Sequence, residues 1–187
     1  MNHQKSRFKT TIQPDKSQVR DEKNIDETGT VVWICGLPGS GKTTMAYELK
    51  SRLALNGFSC VVIDGDDIRG ILGKDSPADY STRSGRLSMA MIYNRLARLY
   101  ALQGLTVIVA TVSMFPEIYA LNRDTINRYV EVLLSPDEST LKQRNKKGLY
   151  SADRDPHNSG SLFAGYEPPT APHITSKSIN HSDRVTT

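Results

Sequence analysis

One stretch of eight residues, 36–43, constrains the fold more than any other part of the sequence. It reads Gly-Leu-Pro-Gly-Ser-Gly-Lys-Thr and satisfies every fixed position of the pattern G-x-x-x-x-G-K-[ST]. The apolar run at residues 31–35 predicts a buried strand before it, and residues 44–50 predict an amphipathic helix after it. In this setting, glycines let backbone N–H groups turn toward an anion, and the helix N-terminus adds a partial positive charge. The stretch, called the phosphate loop below, therefore predicts a binding site for a nucleoside triphosphate.

Two side chains of the phosphate loop have distinct predicted roles. Lys42 can reach the terminal phosphates, and the Thr43 hydroxyl can ligate Mg²⁺. We therefore expect ATP and Mg²⁺ as cofactors. The predicted nucleotide-binding residues here are Gly36, Leu37, Pro38, Gly39, Ser40, Gly41, Lys42, Thr43 and Thr44.

Hydrophobic runs alternate with amphipathic stretches along the rest of the chain. The pattern predicts strands at residues 31–35, 58–63, 105–110 and 129–134, and helices at residues 42–56, 83–103, 116–127 and 135–148, with a short helix ending near residue 72. Glu131 interrupts the last of these strands, which indicates an edge strand or a partly open face. Strands alternating with helices, with the phosphate loop after the first strand, predict an α/β fold of the P-loop type with three α/β/α layers and a mainly parallel sheet.

The chain of 187 residues is long enough for one domain with a sizeable core. The sequence predicts a flexible arm over residues 1–29, the P-loop domain over residues 30–175 and a polar tail over residues 176–187. The net charge of +4 is scattered, which argues against a nucleic-acid partner. No apolar run is long enough to span a membrane and no signal peptide is evident, so we expect a cytoplasmic protein. Cys35 and Cys60 lie in apolar runs, so we expect both to be reduced residues of the core. A homodimer is possible on the sequence, which does not determine the oligomeric state.

Carboxylates and arginines follow the second predicted strand, at the edge where open parallel sheets bind ligands. Asp64 and Asp66 are two residues apart, so along an extended strand end both point to one side. One would orient Mg²⁺ and the other would accept a hydrogen bond from an attacking hydroxyl, whereas an acidic turn without chemistry is the alternative. Arg69, Arg83 and Arg86 together suit an anionic acceptor, although each alone is more simply a solvated charge.

Polar residues after the third and fourth strands complete the candidate site. Ser113 follows the third strand and either contacts a phosphate or is an ordinary loop serine. Arg144 and Lys147 lie on one face of a predicted helix, where they either cover the nucleotide or are solvated charges at a helix end. The predicted catalytic residues are Lys42, Asp64, Asp66 and Ser113, and the predicted metal ligands are Thr43 and Asp64.

The order of these motifs resembles that of adenylylsulfate kinases (APS kinases), which transfer the ATP γ-phosphate to the 3′-hydroxyl of adenosine 5′-phosphosulfate. The resemblance spans residues 31–172. Its pieces are the phosphate loop, residues 64–69 (D-G-D-x-x-R), residues 97–105, Ser113, residues 144–150 (R-x-x-K-G-L-Y) and residues 166–169 (Y-E-P-P).

The resemblance implies a lid carrying Arg144 and Lys147 over the nucleotide. It also places Ser113 at a serine held in that family to form a phosphoserine intermediate. We expect direct in-line transfer instead, because an acceptor positioned beside Mg²⁺ needs no covalent relay. With the arginine cluster included, the predicted acceptor-binding residues are Asp66, Arg69, Arg83, Arg86, Ser113, Lys147 and Leu149.

The chain departs from the family pattern at four points, and its acceptor half matches that pattern less well than its ATP half. Met89 stands where the family usually has an asparagine, and Thr111 stands where a phenylalanine usually stacks on the adenine of the acceptor. The lid between residues 150 and 166 is shortened, and the polar tail is expected to replace the family's last strand and helix. A lost stacking ring removes about 1–3 kcal/mol per base, which is enough to change the preferred acceptor.

Several functions therefore compete. The leading one is phosphorylation of adenylylsulfate, and the first alternative is a kinase of another nucleotide, such as cytidine diphosphoramidate in surface-polysaccharide synthesis. A kinase of gluconate or shikimate is disfavoured by the arginine cluster at residues 69–86. A nucleotide-binding module without transfer activity is the remaining alternative, motivated by the altered acceptor half.

Overall fold

The computed structural model describes residues 29–73, 79–80, 82–144 and 166–177. Its strands are β1 (Val31–Gly36), β2 (Cys60–Asp64), β3 (Thr106–Thr111), β4 (Tyr129–Leu134) and β5 (Ile174–Ser176). Its helices are α1 (Lys42–Leu55), α2 (Gly65–Leu72), α3 (Arg83–Ala101), α4 (Pro116–Thr125) and α5 (Glu138–Arg144). The four predicted strands and the predicted helices are present, with ends that shift by a few residues, and the predicted end of the last helix at residue 148 lies outside the described residues.

The strands form one sheet in the order β2-β3-β1-β4-β5, and every pair is parallel. Side chains of α3 and α4 pack on one face, in a core with Trp33 and Val109. Side chains of α1 pack on the opposite face, in a core with Ile34 and Ile108. Adjacent strand residues point to opposite faces, so a sheet covered on both sides needs continuous apolar runs. The predicted α/β/α architecture is confirmed.

The N-terminus of α3 holds residues 79–80 against the helix. The Thr82 hydroxyl caps α3 by accepting a hydrogen bond from the Gly85 N–H at 3.0 Å, and it donates to the Asp79 carbonyl at 2.9 Å. Gly85 faces that carbonyl so closely that a Cβ would lie 1.8 Å from its oxygen. Glycine is therefore required at residue 85 if Tyr80 is to keep its place beside the helix.

The expectation that a polar tail replaces the family's last strand is wrong. Residues Ile174–Ser176 form β5, which pairs in parallel with β4, and the Ser135 N–H donates to the Ser176 carbonyl at 2.9 Å. The predicted boundary between domain and tail at residue 176 falls within this strand. Residues 178–187 lie outside the described residues, so the expected loss of the last helix stays a prediction.

Glu131 does not mark an edge or an open face, because β4 lies between β1 and β5 and the Glu131 side chain is fully buried. Arg123 Nη2 donates to Glu131 Oε1 at 2.7 Å, and the Tyr129 hydroxyl donates to Oε2 at 2.8 Å. The backbone N–H of Glu131 donates to His173 Nδ1 at 2.9 Å. The bonds from Arg123 and Tyr129 replace the hydrogen bonds to water that the carboxylate loses when it is buried.

The two cysteines differ in their surroundings. Cys35 in β1 is fully buried, and burial raises the pKa of its thiol to about 12. Cys60 at the start of β2 is only half-buried, so its predicted place in the core is wrong. Both thiols are free.

Within the described ranges, no helix has the length and apolar character needed to cross a bilayer.

Candidate active site

A cleft of about 750 Å³ opens at the carboxyl ends of β1, β2 and β3. The predicted site residues that line it are Pro38, Gly39, Gly41, Lys42, Thr43, Thr44, Asp64, Asp66, Arg69, Arg86, Ser113 and Arg144. Four others do not line it: Gly36, Leu37, Ser40 and Arg83. Lys147 and Leu149 lie outside the described residues. The structure thus brings most of the predicted residues together.

One end of the cleft, called the loop end, is formed by residues 38–44 together with Asp64. Its turn depends on Gly36, because a Cβ at that position would lie 2.5 Å from the Leu134 carbonyl oxygen. Lys42 Nζ donates to the Leu37 carbonyl at 2.9 Å. Arg144 Nη1 donates to the Gly39 carbonyl at 3.4 Å, so the end of α5 contacts the loop. The loop end therefore combines backbone N–H groups, a helix N-terminus and two cations, which suits phosphates.

Asp64 connects the phosphate loop to β2 and α2. Its Oδ2 atom accepts a hydrogen bond from the Thr43 hydroxyl at 2.7 Å, and its Oδ1 atom accepts one from the Asp66 N–H at 2.8 Å, which caps α2. Asp64 is 6% exposed and lines the cleft. Thr43 and Asp64 offer hard oxygen ligands, and no cluster of three His, Cys, Asp or Glu residues occurs in the described chain. This donor set fits Mg²⁺, which is usually held by one or two carboxylates together with substrate phosphates.

Asp66 and Arg69 lie on α2 rather than on an extended strand end, so the predicted alternation of Asp64 and Asp66 is wrong. The first turn of the helix nevertheless brings both carboxylates to the cleft. Asp66 forms an ion pair with Arg69, one turn further along. A carboxylate beside a guanidinium can accept a hydrogen bond from a hydroxyl while the guanidinium binds an anion.

The opposite end of the cleft, called the aromatic end, combines three rings with two of the predicted arginines. The Arg69 guanidinium lies 5.6 Å from the ring centroid of Tyr80, and the Arg86 guanidinium lies 5.4 Å from that of Tyr166. Arg86 Nη1 also donates to the Tyr80 carbonyl at 3.3 Å, and the rings of Phe115 and Tyr166 are 6.4 Å apart. Tyr80 and Phe115 are not among the predicted site residues because neither belongs to a motif. The sequence indicates Phe115 only by its position two residues after Ser113. Flat rings beside cations suit a planar, anionic ligand.

Thr111, Ser113 and Met89 form the floor of the cleft, and two of them, Thr111 and Met89, depart from the family pattern. The hydroxyls of Thr111 and Ser113 lie 2.8 Å apart, and both residues are buried. The Ser113 N–H donates to Thr111 Oγ1 at 3.2 Å, so the two residues form one hydroxyl pair. Met89 from α3 lines the same cleft. The floor therefore offers hydroxyl groups and a flexible apolar side chain, at positions where the family pattern has a phenylalanine ring and an asparagine amide.

Arg83 lies outside the cleft, contrary to its predicted role in direct contact with an acceptor. Its Nη1 and Nη2 atoms donate to the two carboxylate oxygens of Glu117 at 2.8 and 3.0 Å, and Nη2 donates to Glu167 at 3.2 Å. The hydrogen bond from Arg83 lowers the pKa of the Glu117 carboxyl. Both carboxylates balance the charge of Arg83, so its guanidinium is not available to a ligand in the cleft.

Comparison with known proteins agrees with this geometry. The adenylylsulphate kinase family model matches residues 28–177. A cytidine diphosphoramidate kinase from Campylobacter jejuni is 40% identical over 121 residues, which cover 65% of this chain and 69% of the relative. An adenylyl-sulfate kinase from Rippkaea orientalis is 32% identical over 159 residues, which cover 80% of this chain and 82% of the relative.

A solved structure extends the agreement to three dimensions. The Mycobacterium tuberculosis APS kinase CysC in complex with AMPPNP and APS matches with a TM-score of 0.70 at 28% identity. The match covers 80% of this chain and 88% of that one. The family model spans most of the chain and includes every motif that lines the cleft. The chain therefore belongs to the adenylylsulphate kinase family and is a kinase.

Proposed function

We propose that the protein transfers the γ-phosphate of ATP to a hydroxyl of a cytidine diphosphate derivative, such as cytidine diphosphoramidate. The observation that carries this proposal is the Thr111–Ser113 hydroxyl pair in the floor of the cleft. Where related kinases place a ring against adenine, this chain has a buried threonine. A ring is worth about 1–3 kcal/mol per stacked base, and a purine, with its larger face, loses more than a pyrimidine when the ring is absent. The hydroxyls can hydrogen-bond the amino and carbonyl groups of cytosine.

The relatives support the same acceptor. The chain is 40% identical to the Campylobacter jejuni cytidine diphosphoramidate kinase, against 32% for the Rippkaea orientalis adenylyl-sulfate kinase over a longer alignment. Both relatives act on a nucleotide that carries a short anionic group. The two arginines of the aromatic end, Arg69 and Arg86, suit that group in either acceptor.

Each step of the proposed reaction uses residues of this cleft. Backbone N–H groups of the phosphate loop bind the donor phosphates, and Lys42 exchanges the Leu37 carbonyl for a terminal phosphate oxygen. Thr43 and Asp64 would hold Mg²⁺, which would neutralise charge on the phosphates. Asp66 accepts a hydrogen bond from the attacking hydroxyl, and Arg69 and Arg86 bind the acceptor's anionic group. Transfer is direct and in line, so Ser113 serves as a contact residue.

Adenylylsulfate is the second candidate acceptor. It is favoured by the match of the family model over residues 28–177 and by the solved relative that contains APS. The aromatic end also retains three rings, Tyr80, Phe115 and Tyr166, which leaves surfaces for an adenine to stack on.

A panel of acceptors separates these candidates. ADP release is measured with ATP and Mg²⁺ in the presence of cytidine diphosphoramidate, adenylylsulfate or gluconate, and phosphorus NMR locates the transferred phosphate. We expect kcat/KM to be at least about tenfold higher for the cytidine acceptor, which corresponds to the loss of one stacking ring. Preference for adenylylsulfate overturns the proposed acceptor, and turnover of gluconate overturns the nucleotide class. ATP binding without ADP release on any acceptor identifies a module without transfer activity.

Restoring a ring at residue 111 is expected to reverse the preference. In the Thr111→Phe variant, kcat/KM for adenylylsulfate should rise and that for the cytidine acceptor should fall, each by about tenfold. Thr111→Val is the matched control, because it removes the hydrogen bond to Ser113 but adds no ring. We expect the valine variant to lose activity on the cytidine acceptor without gaining any on adenylylsulfate. Equal loss of both activities in the phenylalanine variant would show that residue 111 does not face the base.

A further inference from the structure

We propose that Arg83 is a positioning residue that fixes the aromatic end of the cleft from outside. This inference rests on the proposed function only in taking the aromatic end as the acceptor site. Arg83 lies in the first turn of α3 and binds carboxylates from two distant parts of the chain, Glu117 in the first turn of α4 and Glu167 in the segment leading to β5. These three residues are called the Arg83 clasp below.

Every member of the clasp is close in sequence to a residue that lines the aromatic end. Arg86 follows Arg83 by one helical turn, Phe115 precedes α4, and Tyr166 precedes Glu167. The Arg83 guanidinium also lies over the ring of Phe115, 5.1 Å from the ring centroid. The clasp therefore joins, at one point, the three chain segments that carry these ligand-facing side chains.

Glu167 is held by its backbone as well as by its side chain. Its N–H donates to the Met114 carbonyl at 2.9 Å, and its carbonyl accepts from the Tyr119 hydroxyl at 3.1 Å. With the carboxylate bound to Arg83, the residue is fixed in three directions, so the adjacent Tyr166 is ordered before a ligand arrives. A side chain ordered in advance reduces the entropy that is lost when the acceptor binds.

The exposure of the clasp indicates that its effect lies in binding rather than in stability. The side chains of Arg83, Glu117 and Glu167 are 42%, 45% and 52% exposed. Exposed ion pairs contribute little to folding and are screened by salt. Small shifts of Tyr166 and Arg86 would still change how well the acceptor fits. A defect in the clasp should consequently raise the KM for the acceptor and leave the ATP half unchanged.

The first test compares Arg83→Met with Arg52→Met. Arg52 is the matched control, because it is also an exposed arginine paired with a glutamate, Glu48, but lies on α1 away from the cleft. We expect Arg83→Met to raise the acceptor KM about fivefold, from the loss of two exposed ion pairs, with kcat and the ATP KM within twofold of wild type. Arg52→Met should change none of these values. A fall in kcat or a rise in the ATP KM as large as the change in acceptor KM would overturn the proposal.

A double-mutant cycle and hydrogen exchange complete the test. Glu167→Gln should raise the acceptor KM in wild type but not in the Arg83→Met background, because both substitutions break the same contact. The Glu167 amide should exchange faster in Arg83→Met than in wild type or Arg52→Met. Unchanged exchange rejects the clasp whichever acceptor the enzyme uses. Faster exchange in a protein that turns over neither nucleotide acceptor would support the clasp and reject the proposed function.

Discussion

Replacing Asp64 with asparagine lowers kcat by about 10³-fold, the loss expected when a ligand of a catalytic metal is removed. Asp64 is 6% exposed, accepts a hydrogen bond from Thr43 and lines the loop end of the cleft, where the donor phosphates are proposed to bind. The substitution removes a negative charge at this point but retains the shape of the side chain. Asparagine caps helices as well as aspartate does, so its amide oxygen can still accept from the Asp66 N–H and α2 should remain folded.

Asp67→Asn provides the control for the loss of charge alone. Asp67 lies in the same first turn of α2, but it is exposed and does not line the cleft. Initial rates of ADP release, measured over a range of Mg²⁺ concentrations, should show a higher Mg²⁺ requirement for Asp64→Asn and wild-type behaviour for Asp67→Asn. A kcat for Asp64→Asn within tenfold of wild type would rule out the role assigned to Asp64.

The parts of the site that could be predicted from sequence are those whose geometry is local. The phosphate loop follows from its spacing, and Asp64, Asp66 and Arg69 follow because a strand end and one helical turn carry them to the same edge. Even here the backbone differs from expectation, since Asp66 lies on a helix. The carboxylates still reach the cleft because the capped first turn of α2 replaces the extended segment.

The parts that were missed depend on contacts between distant residues. Arg83 has the spacing of an acceptor ligand, yet its partners lie 34 and 84 positions away, and their presence cannot be read from the helix itself. Strand β5 escaped prediction because it is three residues long and is held by backbone pairing with β4, which leaves no hydropathy signal. Glu131 looked like a solvent-facing residue because its neutralising partner, Arg123, is on a different element.

Removing that partner gives the largest expected change in stability. Arg123→Met should lower the free energy of unfolding by about 2–3 kcal/mol and Tm by about 5–10 °C, because the fully buried Glu131 side chain would lose its guanidinium partner. This expected loss of free energy is at the low end for a broken buried ion pair, since the Arg123 side chain is itself 42% exposed. Denaturant unfolding and calorimetry measure the loss. Arg128→Met, an exposed arginine three residues before Glu131, is the control and should leave Tm unchanged within about 1 °C.

A second substitution separates the charge of Glu131 from its shape. Glu131→Gln removes the buried charge but keeps an oxygen for the Tyr129 hydroxyl, so in the Arg123→Met background it should recover part of the lost stability. The double variant should therefore be less destabilised than the sum of the two single variants, by about 1 kcal/mol or more. Additive losses would mean that the two side chains do not stabilise each other. The ion pair would then serve only to place the Arg123 guanidinium beside the Ala171 carbonyl, at the approach to β5.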